Sequence, residues 1–180
     1  MNPDVSQRII HQVNFLIKNK DHLTIDADTH PSNPELLSGK ILDKYQNSEN
    51  YYHGRPISGD DLLREMKMAA VDMSLIWQNP AATPYTGDQS ENYNRLLKAN
   101  EYIFDLGQSY PEKFIPAGWT DPKALGLDKA RKIVDIFMND FGFLIVKMNP
   151  AQNAFPIDGT DVMNVVEKIA GNKGIAAFHY

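Results

Sequence analysis

The stretch Leu23–Pro34, LTIDADTHPSNP, decides how the rest of this sequence reads. It begins as a β-strand but closes on Asp26, Asp28 and His30, all on one parity. Residues two apart on a strand point to the same side. Asp28 and His30 are therefore expected to converge at the strand's end, with Asp26 one layer deeper and orienting a ligand. A carboxylate beside an imidazole suits Zn²⁺, and also Mn²⁺ or Fe²⁺. A plainer reading stands beside this one: an Asp before a helix caps it, and a His beside Pro sits in a turn.

Downstream of this strand a unit repeats. GDDLLREMKMAAVD reads as a helix with Leu62, Leu63, Met66, Ala69 and Ala70 on one face, and MSLIWQNP as a second strand. SENYNRLLKANEYIFDLGQSYPEK is a helix capped by Ser90 and ending before Pro111. Its face carries Tyr93, Leu96, Leu97, Asn100, Ile103 and Phe104. FIPAGWTDP is a third strand, GLDKARKIVDIFMNDFG a helix with Gly142 past its end, and FLIVKMNP a fourth strand. DGTDVMNVVEKIAGNKG is the next helix and IAAFHY a fifth strand. Upstream, Val5, Ile9, Ile10, Val13 and Ile17 fall at helical spacing behind Asp4 as N-cap, a helix lying over the core. Residues 1–20 thus form an N-terminal helix and 21–180 a β/α unit.

Strands alternating with helices imply a parallel sheet, and near-continuous apolar strands imply helices over both faces. Two architectures fit, an open doubly wound sheet or a (β/α)8 TIM barrel. A barrel collects its chemistry at the C-terminal strand ends, an open sheet at one switch point. The five ends read Asp28-Thr29-His30, Gln78-Asn79-Pro80, Trp119-Thr120-Asp121, Lys147-Met148-Asn149 and His179-Tyr180. All are polar or ionisable, which favours the α/β barrel, here with about its first five strands. In a barrel, His179 reaches across the mouth toward the first strand. Asp28, His30 and His179 then give three ligands and an open position for water, the layout of a catalytic metal site. Metal lowers the pKa of bound water toward ~7.

Composition narrows the function. The chain has 180 residues, 42% hydrophobic and 23% charged, enough for a real core. A net charge of −5, with the basic residues scattered, argues against nucleic acid as a partner. There is no Cys, which excludes disulfides and thiolate metal sites and fits a cytoplasmic location. The N-terminus lacks the apolar core of a signal peptide, and no apolar run suits a membrane span. Neither G-x-G-x-x-G nor a Walker pattern is present, so a nucleotide site has no support.

At this point the motifs resemble a family. IDADTHPSNP is similar to the first-strand motif of the amidohydrolase-2 group, metal-dependent hydrolases and decarboxylases, in which H-x-H is usual and D-x-H occurs. ISGDDLLREMKMAAVDMSLIW, YPEKFIPAGWTDP, FGFLIVKMNPAQNAFPIDG and GIAAFHY resemble the group's second to fifth units, in order over residues 23–180. The resemblance implies one divalent metal, with zinc expected first, held by Asp28, His30 and His179. It implies attack of metal-bound hydroxide on a C–N or C–O bond, or decarboxylation of an aromatic acid. The family also supplies a His after strand six and a proton-shuttling Asp after strand eight. Neither is present in this sequence, so no catalytic residue is assigned. A full barrel needs about 250 residues, and 180 residues with five strands read as the N-terminal part of a longer enzyme.

Other residues are candidates for a small-molecule substrate: Arg55 as an anion anchor, Trp119 as a wall, and Lys147 and Asn149 as polar contacts. In some amidohydrolases a fourth-strand Lys is carboxylated between two metals, a role not carried over to Lys147. A fifth strand with an open edge invites pairing with a second copy. The competing reading is therefore a non-catalytic fragment that dimerises through that edge.

Overall fold

The computed structural model describes residues 3–37, 39, 56–80 and 82–179. Helix α1 (Pro3–Asn19) precedes strand β1 (Ile25–Thr29). Then come α2 (Gly59–Ala69), β2 (Met73–Ile76) and α3 (Gln89–Ser109). The third expected strand is split into β3 (Phe114–Pro116) and β4 (Gly118–Trp119). Short α4 (Pro122–Leu125) and α5 (Leu127–Ile136) lead through a π-helical turn, Phe137–Phe141, into β5 (Ile145–Met148). Short α6 (Pro150–Asn153), α7 (Thr160–Gly171) and β6 (Ile175–Phe178) follow.

Among the described residues every strand pairing is parallel, in the orders β1-β2-β3 and β4-β5-β6. This is an α/β fold consistent with part of a β/α barrel wall. The split comes at Ala117. Its N–H still reaches Ile76 O (3.0 Å), while Thr120 N–H already bonds Lys147 O (3.0 Å). One strand position therefore serves both sheets. Helices pack on the outward-facing residues, with Ile76, Phe114, Val146 and Met148 fully buried against them. The close approach of α5 needs Gly118, where an added Cβ would stand 2.5 Å from the Phe137 ring.

Helix ends follow local chemistry. Ser58 and Asp61 form a capping box on α2. On α3 the cap is Asp88, not Ser90: its carboxylate accepts from the Ser90 and Glu91 amides (2.7 and 2.9 Å). Asp4 is likewise no cap, because α1 already begins at Pro3. In α2, Leu62 and Met66 are buried as expected, but Ala69 is exposed and Ala70 ends the helix in a left-handed conformation.

The buried face of α1 also differs from expectation. Val5 is buried as expected, but Ile10, Val13 and Ile17 are 61%, 41% and 65% exposed, and Arg8 and Gln12 face inward beside Val5 instead. Gln12 donates to Pro111 O (2.8 Å) and Phe114 O (2.7 Å), and Arg8 to Phe141 O (2.8 Å). These carbonyls lie where strands begin, and an unpaired buried carbonyl is costly. Helix α1 is thus turned so that these two polar side chains satisfy them.

Candidate metal centre

Four side chains from three strand ends meet at Asp28. His30 Nε2 lies 3.2 Å from Asp28 Oδ1, and His179 Nδ1 lies 3.9 Å from Oδ2. The Lys147 ammonium bonds Oδ1 as well. The fold thus brings together the sequence-expected Asp28, His30 and His179, residues up to 151 positions apart. His179 is held in place by its backbone N–H on Met148 O (3.1 Å).

The first strand does not keep the strict alternation expected of it. Asp26 aligns with Ser74, but Thr29 aligns with Ile76, so β1 carries an extra residue between them. Such a bulge re-aims the side chains beyond it. Asp26 is exposed, and its carboxylate accepts the Asp28 N–H (3.2 Å). It steadies the backbone of Asp28 rather than touching the group around the Asp28 carboxylate.

His30 shows how the centre is poised. Its Nδ1 lies 3.0 Å from the Gln78 carbonyl oxygen. A carbonyl only accepts, so Nδ1 carries the proton and Nε2 is the nitrogen turned toward Asp28. Fixing one ring nitrogen on a carbonyl is how proteins aim the other at a cation. A bare Nε2 facing a carboxylate would be repelled, so a proton or a metal ion belongs between them. Bonding to His30, and then to Lys147, holds the Asp28 carboxyl well below the usual carboxylate range, against the opposing effect of burial. Two imidazoles and a carboxylate are a donor set that fits a divalent transition metal. As they stand, no three of the described His, Asp and Glu side chains form a ready-made cage, and the Lys147 ammonium bonds the Asp28 carboxylate.

The walls are aromatic. Lys147 Nζ stands 4.9 Å from the Trp77 ring centroid and 5.5 Å from that of Trp119, both within cation–π range. The Trp119 ring also meets His30 edge-on at 5.9 Å. Its backbone is clamped by Asn100 of α3, which accepts the Trp119 N–H (2.9 Å) and donates to Trp119 O (3.3 Å). Trp77 and the Gln78 carbonyl were missed by sequence reasoning. The signal for Trp77 was its place just before the polar strand end Gln78-Asn79-Pro80.

Other expected contacts fall elsewhere. Asn149 is buried, and both its side-chain groups are committed to Gln152 at the start of α6. Arg55 lies outside the described residues. A cavity of about 590 Å³ sits between Gln89, Pro122, Phe155 and the start of α7, and none of the four Asp28-centred residues lines it. No helix among the described residues is long and apolar enough to cross a membrane.

No protein-family model and no curated protein matches this sequence. Solved structures do match. One is a 5-carboxyvanillate decarboxylase from Novosphingobium aromaticivorans with bound manganese and a nitrobenzoic acid. It is 14% identical with TM-score 0.71, over 87% of this chain and 50% of that one. An amidohydrolase II matches at 18% identity and TM-score 0.68, over 87% and 50%. A 2,6-dihydroxybenzoate decarboxylase from Rhizobium matches at 15% identity and TM-score 0.67, over 87% and 49%. At these identities the likeness is one of fold, and the chain spans about half the length of each neighbour. It is the fold that the motif resemblance implied.

Proposed function

We propose that this chain carries the metal-binding part of a metal-dependent barrel enzyme of the amidohydrolase type, acting on a small anionic molecule. The observation that carries the proposal is the convergence of His30, His179 and Lys147 on the single Asp28 carboxylate, with His30 aimed by the Gln78 carbonyl. Asp28, His30 and His179 would hold the ion. When bound, a divalent ion supplies Lewis-acid polarisation of a substrate oxygen, or acidifies a water toward neutral pH. Manganese is favoured over the zinc first expected, because the decarboxylase of like fold holds manganese.

The chain's own residues do the rest. Asp28 and the two imidazoles place the positive charge at the strand ends. Trp77 and Trp119 form two apolar walls that exclude water, which strengthens the electrostatics between them. Lys147 adds a fixed cation between those walls, suited to a carboxylate or phenolate oxygen. Arg55 remains a proposed second anion anchor, while Asn149 contributes only through the shape of the loop it caps. Between hydrolysis of a C–N or C–O bond and decarboxylation of an aromatic acid, the decarboxylase neighbours and the two indole walls favour decarboxylation. The proton-shuttling role given by resemblance to an eighth-strand Asp is filled by none of the described residues, so turnover by residues 1–180 alone is not part of this proposal.

The test is metal content of the purified chain after loading with Mn²⁺ or Zn²⁺ and desalting. About one equivalent is expected in the parent, and none in His30→Ala or His179→Ala. Unchanged metal content in both variants would refute this assignment. A metal-free chain that self-associates with concentration would instead support the interaction reading.

A further inference from the structure

We infer that Lys147 is a built-in competitor for the metal: its ammonium neutralises Asp28 in the metal-free chain and must leave when a divalent ion binds. The inference rests on the metal-dependent reading above and adds a role for a residue outside the ligand set.

The geometry sets up the competition. Asp28 Oδ1 is the oxygen that faces His30 Nε2 at 3.2 Å, so a cation bridging this pair must approach Oδ1. That same oxygen already carries the Lys147 ammonium. Lys147 is buried and makes no other ion pair among the described residues. Two cations on one half-exposed carboxylate repel strongly, and the repulsion is screened little where one of them is buried.

The structure also supplies somewhere for the displaced ammonium to go. The Trp77 and Trp119 rings lie within 4.9 and 5.5 Å of Nζ, and indole faces hold a desolvated cation favourably. Lys147 can thus swing off Asp28 without being stranded. Metal-free, Asp28 and Lys147 cancel in charge. With a divalent ion present the same group carries two net positive charges, and the freed ammonium faces the incoming anion. One lysine therefore offsets Asp28 in the empty centre and adds to the loaded centre a cation that favours anions.

The experiment is Mn²⁺ binding by calorimetry to the full 180-residue chain, comparing the parent with Lys147→Met, Lys147→Gln and Lys147→Arg. Removing the charge is expected to tighten binding by roughly tenfold or more in the Met and Gln variants. The Arg variant, still charged, is expected to bind no more tightly than the parent. As a check that needs no variant to fold, the Lys147 side-chain NMR signal of the parent chain should shift on saturation with diamagnetic Zn²⁺. Equal or weaker binding in the neutral variants, or an unmoved Lys147 signal at saturation, overturns the inference and leaves the metal site standing. Absence of divalent-ion binding in the parent and in both neutral variants overturns the inference and the metal-dependent reading together.

Discussion

Replacing Asn100 tests how the aromatic wall of the centre is held. Its side chain is fully buried and makes three hydrogen bonds: from Trp119 N–H at 2.9 Å, to Leu96 O at 2.7 Å and to Trp119 O at 3.3 Å. Asn100→Ala leaves a buried Trp119 N–H without a partner, which costs about 1–3 kcal/mol. Loss of the other two bonds and a small cavity add about 1 kcal/mol more. A total near 3 kcal/mol is expected. In urea this lowers the unfolding midpoint by roughly 1 M, for slopes of about 2–3 kcal/mol/M. Trp77 and Trp119, the chain's two tryptophans, report the transition by fluorescence. Asn100→Leu fills most of the volume but makes none of the bonds, so it separates the polar cost from the cavity. It is expected to fall within about 1 kcal/mol of Asn100→Ala. A loss below about 1 kcal/mol in Asn100→Ala would show that the Trp119 amide finds another acceptor, and the clamp described here would be wrong.

Two further expectations follow from burial and shape. The fully buried Asp121 has its pKa raised, chiefly by burial, against hydrogen bonds that include those from the Ala124 amide and Asn153. The unfolded chain then releases this proton first, so Asp121 subtracts stability as pH rises above the ordinary carboxylate value of about 3.9. Asp121→Asn should gain stability relative to the parent as pH rises above about 3.9, read from paired melting curves; a relative loss on raising the pH contradicts the assignment. Gly118→Ala drives a Cβ to 2.5 Å from the fully buried Phe137 ring and is expected to cost about 1–3 kcal/mol. Gly171→Ala, where nothing lies within 4 Å, is the control, and equal stability of the two variants would refute the packing argument.

The strand–helix alternation was legible because each strand is an apolar run and each helix carries a periodic face. The centre was legible in part because Asp28, His30 and His179 all end strands. What hydropathy does not record is backbone satisfaction. Arg8 and Gln12 look like surface residues, yet they are buried to serve carbonyls at Phe141, Pro111 and Phe114. The aliphatic stripe of α1 therefore found the buried face at Val5 but not at Ile10, Val13 and Ile17. The bulge in β1 left no mark in the residues that form it, because it is a property of register against β2. Lys147 was visible as a strand-ending cation, but its partner Asp28 lies 119 positions away and only the curvature of the sheet brings them together. The Gln78 contribution comes from a carbonyl that every residue type offers.

The break at Ala117 has a mechanical consequence. Asp28 and His30 belong to the sheet on one side of that seam, and Lys147 and His179 to the sheet on the other. The centre is therefore a rivet across a fold line. Asn100 holds the Trp119 backbone within that seam. An ion that joins the two sides fastens the seam, and amide hydrogen exchange at residues 116–120 should slow as the ion is added.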